Sequence, residues 1–338
     1  MVSKTPEFWY TTSKTASLIS GLLSPISCLY QLGHRLNLSS KKTHNASIPV
    51  ICIGNATAGG SGKTPTAIAI MNIIKESELS SAPCFLTRGY GGTEIGPRVI
   101  SGHDGSHDVG DEPLILKNHA KTIISKDRVA GAKKINELNC TCIIMDDGLQ
   151  NPSLKKDISF LVIDGKTGFG NQKTIPAGPL REPIEQAFQR SDAIILIGQD
   201  QKSILELCPP YLPVFQASIK PHKDNLNPDD TYIAFAGLGH PTKFQDTLNA
   251  INLDIHNFHA FPDHYPYKTK DMEKLVKEAH KAHAKLITTE KDFQRIPNEF
   301  KSKVQTLPIT LSWDKPQDIT SFLNNALRPF KNKPHEKN

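Results

Sequence analysis

The sequence lacks several features that would assign it to a familiar class of protein. It has no CxxC pair, no internal repeat and no DNA- or RNA-binding signature, and its formal net charge is only +6. The first two absences exclude paired-cysteine zinc and redox motifs and a repeat architecture. A mild positive charge without a nucleic-acid motif favours an anionic substrate or an acidic membrane surface over nucleic acid as the partner.

Cysteine is present, but its placement does not indicate disulfides. The six cysteines are Cys28, Cys52, Cys84, Cys140, Cys142 and Cys208. Most lie inside apolar runs, which indicates buried thiols in a reducing compartment. At 338 residues, 38% of them hydrophobic, the chain can bury a sizeable core, and its length predicts two domains.

The most informative stretch joins the apolar run at 48–54 to a glycine-rich turn, which the apolar-periodic segment 67–74 follows. This is the strand, loop and helix order of a phosphate-binding loop. Glycines let the backbone turn its N–H groups towards a phosphate, and the helix directs its positive end at the same anion. We predict that nucleotide phosphates contact Thr57, Ala58, Gly59, Gly60, Ser61, Gly62, Lys63 and Thr64.

Two side chains of this loop carry specific chemistry. Lys63 adds a positive charge, and Thr64 offers a hydroxyl to a nucleotide-bound Mg²⁺. Thr57 stands where the strict GxxxxGK[ST] pattern has glycine, so the GGSGKT core carries the match.

Two pairs of acids are candidates for the chemistry. Asp146 and Asp147 follow an apolar run, where P-loop proteins keep a Mg²⁺ ligand, although loop aspartates are the alternative. Asp111 and Glu112 precede Pro113 at a predicted helix start. They are either helix caps or groups that accept a proton from a substrate hydroxyl or help to hold Mg²⁺.

Alternating strands and helices predict the fold class. Buried-type strands are expected at 83–87, 158–164 and 193–198, which predicts an α/β, P-loop NTPase-like fold with a doubly wound, mainly parallel sheet. A second set of elements, the strand 232–236, the helix 270–284 and the strand 285–289, predicts a smaller C-terminal α/β subdomain. The predicted ranges are 1–45 for an N-terminal helix, 46–225 for the P-loop core, 226–330 for the subdomain and 331–338 for a polar tail.

Residues 8–32 have the apolar periodicity of an amphipathic helix, with Lys4, Lys14, Arg35, Lys41 and Lys42 flanking it. The uncharged run 15–33 is long enough to span a membrane, but its serines, its glutamine and Pro25 argue against that. We predict a helix bent near Pro25 that lies on a membrane surface, with Trp9, Tyr10 and Tyr30 near the headgroups. The alternative is a helix packed on the protein's own core.

Ten landmarks in order carry a resemblance over nearly the whole chain: FWY, LSPISCLYQLGHRL, GNATAGGSGKTP, RGYGG, GDEP, DDGLQ, VIDG, IPAGPLREP, FPDHY and TTEKD. The chain resembles the tetraacyldisaccharide 4'-kinase (lipid A 4'-kinase) family. The resemblance implies transfer of the γ-phosphate of ATP, with Mg²⁺, to the 4'-hydroxyl of an acylated glucosamine disaccharide 1-phosphate. It also implies a peripheral or monotopic protein at the cytoplasmic face of the bacterial inner membrane, which is an anionic surface.

The resemblance also implies residue roles. Asp111 and His264 would activate the hydroxyl, Lys63 and Thr64 would contact phosphate and Mg²⁺, and Asp147, with Asp146 near it, would complete the metal site. Glu112 is a further candidate for the metal. The basic residues Arg88, Arg128 and Arg181 are our candidates for the acceptor's phosphate, with solvated side chains or structural ion pairs as the alternative. Asn151 departs from the histidine that usually follows DDGxQ in the family. TTEKD is either substrate-facing or an ordinary polar turn.

Two other functional classes remain as hypotheses. A membrane-associated P-loop switch ATPase acting on a protein partner would hydrolyse ATP without phosphorylating an acceptor. A nucleic-acid-dependent ATPase would need a binding module that the sequence does not contain. We predict neither a nucleic-acid partner nor an obligate protein partner.

Overall fold

A computed structural model of the chain describes residues 5–39 and 42–331. Lys4, Lys41 and residues 332–338 of the predicted tail 331–338 lie outside the described residues. Within the described part, the strands are β1 Val50–Gly54, β2 Pro83–Thr87, β3 Arg98–Val99, β4 Thr122–Ile124, β5 Cys142–Asp146, β6 Ile158–Asp164, β7 Ala193–Ile197, β8 Val214–Pro221, β9 Thr231–Ala236, β10 Asp254–Ala260, β11 Lys285–Thr289, β12 Val304–Leu307 and β13 Ile309–Trp313.

A short 3₁₀ helix, Glu7–Trp9, precedes the α-helices of the described chain. The α-helices are α1 Lys14–Ser39, α2 Lys63–Glu76, α3 Ser106–Val109, α4 Asp111–Leu116, α5 Arg128–Glu137, α6 Ile184–Gln189, α7 Ile204–Leu207, α8 Thr242–Ala250, α9 Thr269–Lys281, α10 Glu290–Phe293, α11 Asn298–Lys301 and α12 Pro316–Lys331.

The larger sheet has nine strands in the order β13-β8-β7-β6-β1-β5-β2-β4-β3. Strands β8 to β4 of that order run parallel, and the two edge strands β13 and β3 are antiparallel. Strands β1, β2, β5 and β7 are buried along their whole length, because helices and loops cover both faces. The predicted α/β fold with a mainly parallel, doubly wound sheet is confirmed.

The strand order reverses at β1, which pairs with β5 on one side and β6 on the other. Such a reversal opens a crevice beyond the carboxyl ends of the strands, where open α/β sheets bind ligands. Both the glycine-rich loop after β1 and the acids at the end of β5 lie at this edge, since Ile53 pairs with Asp146.

The smaller sheet is parallel throughout, in the order β10-β9-β11-β12, with its own hydrophobic clusters. We call residues 231–307 the small lobe and the rest of the described chain from residue 42 the large lobe. After the small lobe the chain returns to the larger sheet, where Ile309 pairs with Pro221 and α12 packs on the core. The predicted range 226–330 therefore includes the strand β13 of the larger sheet and the helix α12 that packs on it. The predicted domain boundaries stay a prediction.

Helix α1 packs on the protein through two serines and leaves an apolar face exposed. Ser20 and Ser27 donate hydrogen bonds of 2.8 Å to the carbonyl oxygens of Ala177 and Thr174. The opposite face exposes Leu18, Ile19, Leu22, Ile26, Leu29 and Leu32, with Leu22 72% exposed. By length and composition, Lys14–Gly33 could also cross a membrane.

The N-terminal aromatic residues precede the long helix and contact the large and small lobes. The helix begins at Lys14, and Pro25 lies inside it. Trp9 Nε1 donates to the carbonyl oxygen of Pro176 at 3.1 Å, and the ring of Tyr10 meets His240 edge-on at 5.4 Å. Both residues are half-buried, and their predicted place near lipid headgroups stays a prediction.

Candidate active site

The glycine-rich loop depends on backbone conformations that only glycine adopts readily. Gly59 has φ +114° and Gly62 has φ +89°, and a Cβ on Gly62 would come within 2.5 Å of Ile197 Cδ1. Helix α2 begins at Lys63, and no side chain caps its N-terminus. The first N–H groups of this helix are therefore positioned to bind an anion.

Lys63 and Asp147 form one charged pair of the site, with Nζ and Oδ1 3.9 Å apart. Burial lowers the pKa of Lys63. Burial also opposes ionisation of Asp147, but Lys63 and Arg181 hold the pKa of that carboxyl below its ordinary value. Arg181 Nη1 donates to Asp147 Oδ1 at 2.8 Å.

Asp146 has a different environment, although it is the neighbouring residue. Its Oδ2 accepts a hydrogen bond from Thr64 Oγ1 at 3.2 Å, and its buried Oδ1 has no hydrogen-bond partner among the described residues. Burial, followed by the charges of Glu112 and Asp147, raises the pKa of Asp146 to about 7. The Thr64 hydroxyl lies beside a carboxylate that has one buried oxygen without a hydrogen-bond partner. This pair of oxygen ligands fits a hard divalent cation.

Protein side chains alone do not complete a metal site in the described chain. No group of three or more His, Cys, Asp or Glu side chains there could hold an ion. Mg²⁺ commonly takes only one or two carboxylates and completes its shell with water and substrate phosphates. The Thr64–Asp146 pair fits that mode of binding.

Asp111 and His264, which are far apart in sequence, meet in the structure. His264 Nδ1 lies 2.9 Å from Asp111 Oδ2, and the ring of Tyr90 packs against the imidazole at 5.4 Å. Asp111 belongs to the large lobe and His264 to the small lobe. Gly110, with φ +89°, is the residue that caps α4, and Asp111 is the first helical residue. The alternative that Asp111 is a helix cap is therefore wrong.

Glu112, the second acid of this pair, contacts the small lobe as well. It accepts from Lys291 Nζ at 2.8 Å, and the same Nζ lies 3.5 Å from His264 Nε2. Burial opposes ionisation of Glu112, but the Lys291 charge holds its pKa below the ordinary value. The charge of Lys63 also acts on Glu112. Glu112 thus links the phosphate-binding loop to the Asp111–His264 pair.

The segment IPAGPLREP is hydrogen-bonded to the chain at the start of the phosphate-binding loop. Ala58 N–H donates to the Pro179 carbonyl and Arg181 N–H to the Ala56 carbonyl, each at 2.7 Å. Gln150 connects this segment to the end of β1, donating to the Asn55 carbonyl at 2.8 Å and to Glu182 at 2.9 Å. These bonds account for the sequence motif in structural terms.

The three predicted acceptor-binding arginines occupy different environments. Arg88 is exposed just after β2. Arg128 is buried at the start of α5, where it donates to the Ser125 carbonyl at 2.5 Å. Its Nε has no hydrogen-bond partner in the described chain, and burial lowers its pKa to about 10. The structure brings Arg181 to Asp147 and leaves Arg88 outside these contacts.

Asn151 has a local role in place of the expected histidine. Its Oδ1 accepts hydrogen bonds from the N–H and hydroxyl of Ser153 at 3.0 and 2.9 Å. The side chain therefore shapes the turn after DDGLQ, as asparagine commonly does.

Sequence reasoning missed two basic residues of the site. Lys291 contacts Glu112, and Arg295 Nε lies 3.2 Å from Asp111 Oδ2. The available signal for Lys291 was TTEKD, which the sequence left as either substrate-facing or an ordinary polar turn. TTEKD covers the last two residues of β11 and the first three of α10.

Comparisons with known proteins agree with one another. The model of the family described as tetraacyldisaccharide-1-P 4'-kinase (LpxK) matches residues 19–328. A tetraacyldisaccharide 4'-kinase of Paramagnetospirillum magneticum is 40% identical over 95% of this chain and 98% of its own. One of Rhodospirillum centenum is 38% identical over 95% and 96%. A crystal structure of "apo" form LpxK from Aquifex aeolicus in complex with ATP has a TM-score of 0.74 over 91% of this chain and 99% of its own, at 24% identity, which establishes a shared fold.

Proposed function

Since this chain belongs to the tetraacyldisaccharide-1-P 4'-kinase family, we propose that it transfers the γ-phosphate of ATP to the 4'-hydroxyl of a tetraacyldisaccharide 1-phosphate in lipid A biosynthesis. The observation that carries this proposal is the Asp111–His264 contact of 2.9 Å. Through Glu112, this pair adjoins the phosphate-binding loop. A switch ATPase would leave the small-lobe residues His264 and Lys291 without a role.

ATP binds with its phosphates in the loop of residues 57–64. The N–H groups at the start of α2 and the Lys63 ammonium contact the phosphate oxygens. Hydrogen bonds to the IPAGPLREP segment and to Lys243 of α8 hold the loop in place. Lys243 Nζ donates to the Gly60 carbonyl at 3.2 Å and to Asp164 Oδ2 at 2.6 Å.

Thr64 and Asp146 would hold Mg²⁺, because their geometry and the unpartnered Asp146 Oδ1 fit such an ion. When bound, Mg²⁺ would neutralise the charge that develops on the phosphate oxygens. Asp147 and Glu112 remain candidates for the same ion. Both already pair with cations of the chain, Asp147 with Arg181 and Glu112 with Lys291.

The Asp111–His264 pair receives the hydroxyl proton as the bond from the 4'-oxygen to the γ-phosphorus forms. The bond between that phosphorus and the β,γ-bridging oxygen breaks at the same time, and ADP leaves. A positioned base contributes about 10²- to 10⁴-fold to such a step. Because the transition state is largely dissociative, alignment of the hydroxyl contributes along with base strength.

The acceptor's own phosphate binds among Arg88, Arg128 and Arg181, since guanidinium groups match phosphate geometry. The exposed leucine face of α1 lies on the cytoplasmic face of the inner membrane, where the acyl chains of the acceptor are held. An exposed apolar stripe of this kind, with basic residues at its ends, is typical of an interfacial helix.

The direct test is a transfer assay with γ-labelled ATP, Mg²⁺ and detergent-dispersed tetraacyldisaccharide 1-phosphate, read by thin-layer chromatography. We expect label in the lipid with the wild type and none with Lys63→Ala. Asp246→Asn, which alters an exposed carboxylate paired with Lys166, is the control and should keep full transfer. Label released only as inorganic phosphate would instead support the switch ATPase.

A further inference from the structure

The carboxylate of Asp111 is held unevenly at its two oxygens. Oδ2 lies 2.9 Å from His264 Nδ1 and 3.2 Å from Arg295 Nε. The side chains of Asp111 and Arg295 are each only 5% exposed, so water screens this ion pair weakly. No hydrogen bond from a described residue reaches Asp111 Oδ1, which leaves that oxygen for a further donor.

Arg295 is fixed within the small lobe. Its Nη2 donates to Asp292 Oδ1 at 2.8 Å and to the Gly237 carbonyl at 3.2 Å. Its Nη1 donates to the Tyr265 carbonyl at 3.2 Å. The guanidinium carbon also lies 5.9 Å from the centre of the Tyr267 ring.

The partner of Arg295 is equally constrained. Asp292 is fully buried and accepts hydrogen bonds from Gly237 N–H at 2.8 Å, Tyr267 Oη at 2.8 Å and Thr289 Oγ1 at 2.6 Å. Because Asp292 cannot move without losing these bonds, it holds the guanidinium in a defined orientation.

One nitrogen of Arg295, Nε, donates no hydrogen bond to the small lobe. Nε is buried and makes no hydrogen bond within the described chain, yet it is the atom closest to Asp111. A purely structural arginine would be expected to satisfy each buried N–H. The ion pair with Asp111 is the interaction that this nitrogen has, and it crosses from one lobe to the other.

We propose that Arg295 is a positioning residue for the phosphoryl transfer: with His264 it engages Asp111 Oδ2, so that Oδ1 faces the acceptor hydroxyl. This inference rests on the proposed function. Arg295 itself does not touch the substrate. It keeps Asp111 in place, and it does so only while the two lobes are in contact.

The test compares Arg295→Met and Arg295→Lys with the wild type in the lipid transfer assay. We expect Arg295→Met to lower kcat by about 10²-fold, the loss typical of a misplaced catalytic group, while KM for ATP changes less than about threefold. Arg295→Lys keeps the charge and should give a kcat between those of the wild type and Arg295→Met.

Tyr232→Phe is the matched control for damage to the small lobe. It removes the hydrogen bond of 3.1 Å from Tyr232 Oη to the Asn227 carbonyl, which involves neither Asp292 nor Arg295, so it should lower the melting temperature and keep kcat. A kcat loss in Tyr232→Phe equal to that in Arg295→Met would overturn the inference, because general loosening of the lobe would then account for both.

A double-mutant cycle separates positioning from a structural role. If Arg295 acts through Asp111, Arg295→Met should lower kcat by less than about threefold in an Asp111→Asn background. An undiminished loss in that background, or a normal kcat in Arg295→Met alone, overturns the inference. A wild type that transfers no phosphate to the lipid overturns the proposed function and this inference with it.

Discussion

At the scale of single residues, Asp146 and Asp147 show how neighbours in sequence acquire different properties. Lys63 and Arg181 stabilise the charge of Asp147, whereas Asp146 is buried beside two other carboxylates. The resemblance made Asp147 the main candidate for the metal, with Asp146 near it. Sequence alone could not decide between them, because the direction of each side chain depends on where β5 ends. Only the three-dimensional structure shows that Asp146 is the one beside Thr64.

Asp146→Asn should stabilise the metal-free protein at alkaline pH. The pKa of Asp146 is raised to about 7 in the folded state, above its ordinary value near 4. Its charge therefore destabilises the fold increasingly as pH rises from about 4 to 7, and fully above 7. In the presence of a chelator, the variant should gain on the order of 1 to 4 kcal/mol over the wild type at pH 8 and less at pH 5.

Urea denaturation at the two pH values measures this difference. An equal gain at pH 5 and pH 8 would contradict the assignment of an elevated pKa. The same variant should lose phosphate transfer, because it removes a proposed ligand of Mg²⁺.

The pairing of Asp111 with His264 was predicted from a resemblance, and its geometry was not. Asp111 and His264 were paired because their motifs matched a family, whereas composition and periodicity gave no sign of the contact. Composition and periodicity gave no sign of Lys291 and Arg295 either. A basic residue that follows a strand is usually solvated, so neither was proposed. Contacts between lobes are set by tertiary packing, which local sequence patterns do not encode.

At the scale of secondary structure, the sequence was most informative where an apolar run is bounded by polar or turn-forming residues. The strands Pro83–Thr87 and Lys285–Thr289 have the predicted ends. The N-terminal prediction was less accurate. The helix was predicted to include residues 8–13, but it begins at Lys14. The rings of Trp9 and Tyr10 contact Pro176 and His240 instead of continuing the apolar stripe.

The exposed leucines of α1 should determine binding to membranes. Replacing Leu18, Leu22 and Leu29 by serine removes about 2 kcal/mol of transfer free energy per side chain, while the serine bonds to the large lobe remain. We expect the triple variant to stay at the bottom of a flotation gradient with anionic vesicles. A matched triple variant, with serine at Leu205, Leu207 and Tyr211, also loses three exposed apolar side chains and should float like the wild type.

Lys243 connects α8 of the small lobe to the phosphate-binding loop. Lys243→Met removes the bond to the Gly60 carbonyl, so the loop should bind nucleotide less well, with KM for ATP raised by a factor of about 2 to 10. Lys166→Met is the control, because Lys166 pairs with Asp246 of the same helix and, within the described chain, makes no hydrogen bond or ion pair with the loop. Equal KM values for the two variants would argue against this role for Lys243.

At the scale of the whole molecule, the candidate site is assembled from both lobes. The large lobe supplies the phosphate-binding loop, Asp146, Asp111 and Glu112, and the small lobe supplies His264, Lys291 and Arg295. The α/β class and the parallel sheet were predictable, because strand and helix patterns alternate along the chain. The return of β13 to the larger sheet was not, since antiparallel pairing with β8 depends on residues that are far apart in sequence.

The net charge of +6 gives a prediction for the whole molecule. Binding to vesicles that contain anionic lipid should weaken as salt is raised from about 0.05 to 0.5 M, because the ions screen charge near the surface. Binding to neutral vesicles should change little over the same range. Co-sedimentation measures both, and equal salt dependence would show that charge does not contribute.

The pairing of Pro221 with Ile309 means that the chain enters and leaves the small lobe at neighbouring points on one edge of the larger sheet. In topological terms the small lobe is an insert. A short turn joining β8 to β13 would close the larger sheet without changing its strand order. The small lobe, which supplies His264, Lys291 and Arg295 to the candidate site, is therefore one contiguous segment that could be exchanged between relatives to build chimaeric proteins.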